Sequence, residues 1–233
     1  REDTRVSIAD NIARVRERMA DAAYGAGRKD KVMLTAATKT RTALEIQEAI
    51  AAGVDACGEN RVQEMMRKYS ENAYDGAPLH YIGKLQRNKV KYTIGTAQLI
   101  ESVDSVELMD EISRIAVVKG VVQDVLLEVN IGGESAKAGA RPEDLERLLE
   151  RAASLKGIRV RGLMAIPPAA ERPGANRPYF RAMYKLYVDI RSKKYDNINI
   201  DILSMGMSDD FEDAIREGSS AVRIGSAIFG ARE

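Results

Sequence analysis

The sequence predicts an α/β protein built as a single (β/α)8 TIM barrel with an extra N-terminal helix. Eight short apolar runs alternate with segments of helical periodicity, which is the pattern of successive parallel β-α-β units. Eight such units within about 200 residues are typical of a closed barrel. We expect one domain over residues 1–233, since this length suffices for one large core. A doubly wound open sheet stays an alternative, because a strand count from one sequence is uncertain by one or two.

The predicted strands are short apolar segments bounded by glycine or polar residues. In chain order they are VMLTAAT, VDACG, LHYIG, LIESV, VVQDVLLEVNI, IRVRGLMAI, IDILSMG and AVRIGSAIF. The chain runs only a few residues beyond the eighth strand, so a final helix to complete the outer ring is missing from the pattern. We expect the leading helix to occupy that place.

The predicted helices carry apolar residues at helical spacing. In the leading helix these are Ile8, Ile12, Val15 and Met19, and the glycines of YGAG end it. The later candidates are TALEIQEAIAAG, NRVQEMMRKYS, a shorter RNKVKYT, SVELMDEISRIAVVKG, RPEDLERLLERAASLKG, GANRPYFRAMYKLYVDIRSKK and SDDFEDAIREG. Thr42, followed three residues later by Glu45, predicts a capping box at the second helix.

Composition excludes several classes of protein. The 36 basic and 35 acidic residues nearly cancel, so no charge excess points to nucleic acid or a membrane surface as a partner. One cysteine and one histidine cannot form an intrachain disulfide or a structural zinc site, and we expect no metal. The N-terminus lacks the apolar core of a signal peptide, and no apolar run reaches membrane-spanning length. We expect a soluble, cytoplasmic protein.

Functional groups of such barrels lie where strands end at their C-terminal side. Lys39, at the end of the first predicted strand, is the most informative of them. Burial lowers the pKa of a lysine, and the neutral amine is the nucleophile that forms an imine with an aldehyde. The alternative is a structural lysine that extends to solvent or pairs with Glu59.

The last two predicted strands suggest a phosphate site. The segments SMGMS and RIGSAIFG each place a glycine beside a hydroxyl where a strand gives way to a loop, and barrels often bind phosphate there. Asp209 and Asp210 oppose an anion at the start of the last helix. We therefore expect Gly225 and Ser226 to form the main cradle, with hydroxyls added by Ser204 and Ser208, although these glycines also suit plain tight turns.

An imine-forming lysine near a phosphate cradle suggests either a sugar phosphate, as in lysine aldolases, or pyridoxal phosphate (PLP). Five blocks of the sequence resemble the YggS/PROSC family of pyridoxal phosphate homeostasis proteins. They are AATKT, CGENRVQE, HYIGKLQRNKVK, GLMAIP and LSMGMSDDFEDAIREGSSAVRIGSAIFGARE. The resemblance covers most of the chain. It implies a barrel similar to the N-terminal domain of alanine racemase, with PLP bound as an imine on Lys39.

The resemblance also implies roles for further residues. Arg223 would face the pyridine nitrogen, and Gly225 and Ser226 the phosphate. A protonated arginine can only donate to that nitrogen, which leaves the ring a weaker electron sink than a pyridinium paired with a carboxylate. Asn60 would contact the ring or cap the next helix, and Met164 would pack against the cofactor or simply fill space.

The chemistry expected of the chain is binding without catalytic turnover. Racemization needs a base on each face of the imine, and Lys39 serves only one. The racemases take their second base from a C-terminal domain of the partner subunit, which this sequence, ending at Glu233, does not contain. Lys137 stands where they carry an arginine, and we expect a solvated loop lysine there. We expect a monomer that buffers PLP and hands it to apo-enzymes; the alternative is a small PLP-dependent amino-acid racemase.

Overall fold

A computed structural model describes residues 7–134 and 138–230 of the chain, so Lys137 lies outside the described residues. Eight parallel strands form a closed barrel in sequence order, and the eighth pairs with the first. The strands are β1 (Met33–Ala37), β2 (Ala56–Glu59), β3 (Leu79–Tyr81), β4 (Leu99–Val103), β5 (Gln123–Glu128), β6 (Ile158–Met164), β7 (Ile198–Ser204) and β8 (Ala221–Ile224). The closed ring confirms the predicted barrel and excludes the open sheet.

Helices follow the strands and surround the barrel. They are α1 (Ile8–Gly25), α2 (Ala43–Ala51), α3 (Val62–Ser70), α4 (Val90–Thr93), α5 (Val106–Val118), α6 (Leu145–Ala153), α7 (Arg177–Ser192), α8 (Phe211–Arg216) and α9 (Ser226–Phe229). Short 3-10 turns at Arg87–Lys89 and Pro142–Asp144 lead into α4 and α6. In the described ranges, none of the helices has the length and apolar character needed to span a bilayer.

The leading helix closes the outer ring, as predicted. Its buried face consists of Ile12, Val15, Met19 and Ala22, and α1 packs against α2, α8 and α9. On its outer side, Arg18 forms an ion pair with Glu212 of α8 at 2.8 Å. The N-terminal helix therefore fills the gap between the first and last β-α units, where a barrel needs a helix to cover its strands.

The capping box at α2 is also confirmed. The Thr42 hydroxyl accepts a hydrogen bond from the Glu45 N–H at 3.2 Å, and the Glu45 carboxylate accepts one from the Thr42 N–H at 2.7 Å. Two N–H groups that the first helical turn leaves without partners are thereby satisfied. The cap fixes where the turn after β1 ends, and that turn carries Lys39.

The eighth predicted strand is shorter in the structure than the apolar run AVRIGSAIF suggests. β8 ends at Ile224, and Ser226 begins a single helical turn in which the Phe229 N–H bonds to the Gly225 carbonyl at 3.0 Å. An apolar run alone does not separate a strand from a helix. The change of conformation at Gly225 aims the N–H groups of Gly225 and Ala227 at the Ser208 hydroxyl.

Candidate functional site

A cavity of about 260 Å³ opens at the C-terminal ends of β1, β7 and β8. Its lining residues come from β1, from β8 and from the segments that follow β1, β7 and β8: Ala37, Lys39, Thr40, Arg41, Met207, Ser208, Asp209, Arg223, Gly225, Ser226 and Gly230. The cavity thus brings together five of the eight residues predicted to bind a cofactor. These are Lys39, Ser208, Arg223, Gly225 and Ser226.

Lys39 lies in a tight turn immediately after β1. The strand ends at Ala37, Thr38 is fully buried, and Lys39 is half-buried at the cavity wall. Thr40, the next residue, has a φ of 66°, a left-handed conformation that is rare for a β-branched side chain. Lys39 therefore lines the cavity from a turn of unusual backbone geometry.

A fully buried lysine, Lys68 of α3, lies behind this turn. Its ammonium contacts Oε1 of Glu59 at 2.6 Å, and the same oxygen accepts hydrogen bonds from the hydroxyls of Thr38 at 2.7 Å and Tyr74 at 3.1 Å. The sequence suggested Glu59 as a structural partner for Lys39. In the structure, the cation 2.6 Å from Glu59 is Lys68.

Arg223 reaches the cavity from inside the barrel, where its side chain is held by a chain of polar groups. Its Nη1 donates to the Ser204 hydroxyl at 2.6 Å, and that hydroxyl donates to Oε2 of Glu101 at 2.6 Å. Its Nη2 donates to the carbonyl of Ala165 at 3.0 Å. Only 4 % of Arg223 is exposed, so these contacts fix its orientation.

The chain of polar groups continues to β3. Nδ1 of His80 lies 2.9 Å from Oε1 of Glu101. An ionised carboxylate can only accept, so Nδ1 carries the proton in this contact. Burial by itself would raise the pKa of Glu101, but the hydrogen bond and charge of His80, with Arg223 and Ser204, hold it below its ordinary value. An ionised Glu101 therefore balances the charge of Arg223 within the barrel.

The turn between β8 and α9 has the features expected of an anion cradle. The N–H groups of Gly225 and Ala227 both point at the Ser208 hydroxyl, each at 3.3 Å. The neighbouring Asp210 accepts the N–H of Met207 at 2.8 Å, and Asp209 lines the cavity. Two backbone donors and two hydroxyls thus converge here, beside one carboxylate.

Three other predicted residues lie outside the cavity wall. Ser204 is fully buried beneath Arg223, and its hydroxyl is engaged by Arg223 and Glu101. Ser204 therefore holds Arg223, and its predicted contact with a phosphate stays a prediction. Met164 is fully buried and packs with Leu99 and Leu126 inside the barrel.

Asn60 follows β2 and is half-buried. The predicted alternative of a helix cap is wrong, because the residue at the start of α3 is Arg61 and no side chain caps that helix. Oδ1 of Asn60 is instead buried without a hydrogen-bond partner. A buried amide oxygen of this kind has a place for one donor from a ligand.

Sequence reasoning missed the acidic groups inside the barrel. Glu101 and Glu128 each interrupt an apolar strand, LIESV and VLLEV, and both are buried. A carboxylate in a run that is otherwise buried is an available signal, because such a group needs a partner or a shifted pKa. Within the part of the chain that the structure describes, no group of three His, Cys, Asp or Glu residues could hold a metal ion.

The closed barrel, with its cavity at the C-terminal ends of the strands, has the fold of the alanine racemase N-terminal domain, and comparisons with known proteins agree with this class. Residues 5–233 match the family model described as the alanine racemase N-terminal domain. Alanine racemase of Streptomyces coelicolor A3(2) has the same fold at 20% identity with a TM-score of 0.71; the match covers 97% of this chain and 58% of the racemase.

Closer relatives narrow the class. A pyridoxal phosphate homeostasis protein of Aquifex aeolicus is 44% identical over 229 residues, which are 98% of this chain and 100% of the relative. The crystal structure of PipY from Synechococcus elongatus with PLP bound is 32% identical with a TM-score of 0.83, covering 96% of this chain and 100% of PipY. The chain belongs to the family of pyridoxal phosphate homeostasis proteins.

Proposed function

We propose that this protein binds PLP covalently through Lys39, buffers it and delivers it to apo-enzymes in the cytoplasm, as a monomer without catalytic turnover. The observation that carries the proposal is the placement of Lys39, Arg223 and the β8–α9 turn around one cavity. The PLP bound to PipY, at 32% identity over nearly the whole chain, supports the choice of cofactor.

The residues present fit PLP. The amine of Lys39 can condense with the aldehyde, whose oxygen leaves as water. The hydroxyls of Ser208 and Ser226 supply donors for a phosphate, and the N–H groups of Gly225 and Ala227 donate to the Ser208 oxygen, which leaves its O–H to donate to the ligand. Asn60, which the resemblance places near the ring, lies outside the cavity wall, and its buried Oδ1 has no hydrogen-bond partner. In this arrangement Asp209 sets a limit on affinity, because its charge repels the phosphate.

Arg223 determines what chemistry the bound cofactor supplies. PLP acts as an electron sink most strongly when its ring nitrogen is protonated. Burial lowers the pKa of Arg223, with Glu101 opposing this, yet an arginine starts so high that it stays protonated and can only donate. A donor held rigidly by Ser204 and Ala165 therefore keeps the ring nitrogen unprotonated, which favours storage of the aldehyde over carbanion chemistry.

A small PLP-dependent amino-acid racemase is the second candidate, and one observation favours it. Glu128, at the C-terminal end of β5, is buried, and burial together with the charge of Asp104 raises the pKa of its carboxyl to about 7. A group with that pKa exchanges protons readily near neutral pH. It is the kind of acid-base group that a racemase needs in addition to Lys39.

The test begins with the absorbance spectrum of the protein as isolated, followed by titration with an amino acid. Borohydride reduction and peptide mass spectrometry should place the cofactor on Lys39. Lys39→Ala should lose the adduct, while Lys185→Ala, which changes an exposed lysine of α7, should keep it.

Two further assays separate the candidates. Transfer of PLP to an apo-enzyme without α-proton exchange of amino acids in deuterated water supports the carrier. Rapid exchange that is lost in both Lys39→Ala and Glu128→Gln supports the racemase. Absence of any borohydride-stable adduct on Lys39 would overturn both.

A further inference from the structure

Three acceptors surround the buried ammonium of Lys68. One is a carbonyl of the turn that carries Lys39, and the other two are carboxylates that accept hydrogen bonds from residues of that turn. Nζ of Lys68 donates to the Thr38 carbonyl at 2.7 Å and to Glu59 at 2.6 Å, and it contacts Glu64 of α3 at 2.8 Å. An ammonium has three N–H donors, so all of them are used. None of Lys68 is exposed, and neither Lys68 nor Glu64 lines the cavity.

Glu64 extends this contact to the other side of Lys39. Its Oε1 accepts the backbone N–H of Thr40 at 2.5 Å. Burial alone would raise the pKa of Glu64, but the ion pair with Lys68 and the Thr40 N–H hold it below its ordinary value. Residues 38 and 40, which flank Lys39, are therefore both tied to one buried cation, from the side facing α3.

The turn needs such support, because Thr40 is strained. A β-branched residue at a φ of 66° is disfavoured, and a conformation of this kind persists only where surrounding contacts impose it. Within the described residues, the Thr40 N–H donates to no backbone carbonyl; its acceptor is the side-chain carboxylate of Glu64. The turn is also closed by the Arg41 N–H, which donates to the Thr38 carbonyl at 3.0 Å, so Glu64 is the contact that acts directly on the strained Thr40 N–H. We expect that loss of Glu64 lets Thr40 relax and redirects Lys39.

Stability alone is a weak explanation for the cluster. Removing charges from water costs about as much as a buried ion pair returns, so such pairs contribute little net stability. In this protein the cluster also holds both residues that flank Lys39. The geometry that it imposes is that of the turn carrying Lys39.

We propose that Lys68 and Glu64 are positioning residues that hold Lys39 in the direction required to capture the aldehyde of PLP. This inference rests on the proposed function. It adds that two residues outside the cavity influence the affinity for PLP. If the turn relaxes in a fraction of molecules, the apparent affinity falls by that fraction.

The experiment compares Glu64→Ala, Glu64→Gln and Thr40→Gly, alone and combined, by PLP titration monitored by absorbance. Glu64→Ala should weaken binding about tenfold or more, since relief of left-handed strain favours the relaxed turn. Glu64→Gln keeps an oxygen that accepts from Thr40 and should stay within about threefold of the wild type. Glycine adopts a positive φ without strain, so Glu64→Ala should cost no more than about threefold in a Thr40→Gly background.

A second readout needs no cofactor. Amide hydrogen exchange of Thr40, followed by NMR in the PLP-free protein, should be slow in the wild type and in Glu64→Gln and faster in Glu64→Ala. Glu71→Ala changes an exposed glutamate at the end of α3 and serves as the matched control. Thermal unfolding of each variant identifies effects that come only from lost stability.

The outcomes are distinct. A tenfold loss in Glu64→Ala that largely disappears beside Thr40→Gly supports the positioning role. Binding by Glu64→Ala within threefold of the wild type, or an equal loss in both backgrounds, overturns it. A wild type that forms no adduct on Lys39 overturns the proposed function instead, and the Thr40 exchange rates still report whether Glu64 holds the turn.

Discussion

Glu128 should make the stability of this protein depend on pH in a direction unusual for an acidic residue. Glu128 is 6 % exposed and is the last residue of β5. Burial and the charge of Asp104 raise its pKa from 4.5 to about 7, while Arg223 and Lys84 act in the opposite direction. The folded protein therefore binds this proton more tightly than the unfolded chain does.

The size of the effect follows from the shift. Each pKa unit corresponds to 1.36 kcal/mol, so a rise from 4.5 to about 7 amounts to about 3 kcal/mol. A raised pKa gives stability that is fully present below the unfolded pKa and is lost as pH rises through the folded value. Between about pH 4.5 and about pH 7 the free energy of unfolding should therefore fall because of this group.

Glu128→Gln removes the titrating group and keeps its shape. At about pH 5 the two proteins should be similar in stability, and at about pH 8.5 the variant should be more stable by up to about 3 kcal/mol. Urea unfolding of the PLP-free proteins, with equal slopes, gives the comparison. Glu107→Gln, at an exposed position of α5, is the control: its free energy of unfolding should change with pH in the same way as that of the wild type. If the free energy of unfolding of Glu128→Gln also followed the wild type at every pH, the carboxyl of Glu128 would not titrate as described.

Two substitutions and one labelling experiment probe the barrel wall. Ser204→Ala deletes the hydroxyl shared by Arg223 and Glu101 and should cost about 1 to 3 kcal/mol in urea unfolding, so a loss below about 0.5 kcal/mol would contradict the network. Gly162→Ala should prevent folding, because its methyl group would lie 1.7 Å from the Ile202 carbonyl oxygen; a soluble variant with wild-type circular dichroism and melting would refute that clash. Burial, with the charge of Glu59, raises the pKa of Cys57 to about 12, so iodoacetamide should label it only after unfolding, and rapid labelling of the native protein would be inconsistent with this.

The local sequence pattern was sufficient to predict those structural elements that depend only on residues close together in the chain. The capping residues Thr42 and Glu45, the apolar face of α1 and the alternation of strands with helices all act within a few residues, and all were predicted. The boundary at Gly225 was not, because the run AVRIGSAIF is apolar throughout and either conformation buries it.

The residues of the candidate site also fall into two groups, those that local sequence predicts and those that only the fold places. Lys39 and the RIGS segment could be recognised because a strand-end lysine and a glycine turn carry their chemistry in the sequence. Ser204 and Ser208 are alike by sequence, yet one ends β7 beneath Arg223 and the other lies in the loop that follows. The end of β7 separates them, because Ser204 is the last residue of the strand and is buried inside the barrel, whereas Ser208 lies beyond the strand and lines the cavity.

The sequence by itself determined the barrel, its leading helix and the lysine at its mouth, because periodicity and turn chemistry are local properties. Only the tertiary structure decided which groups meet inside and behind the site. His80, Glu101 and Arg223 come from three different strands, and Lys68 reaches the Lys39 turn from a helix 29 residues further along. Such contacts arise when the ring closes, and no spacing along the chain encodes them.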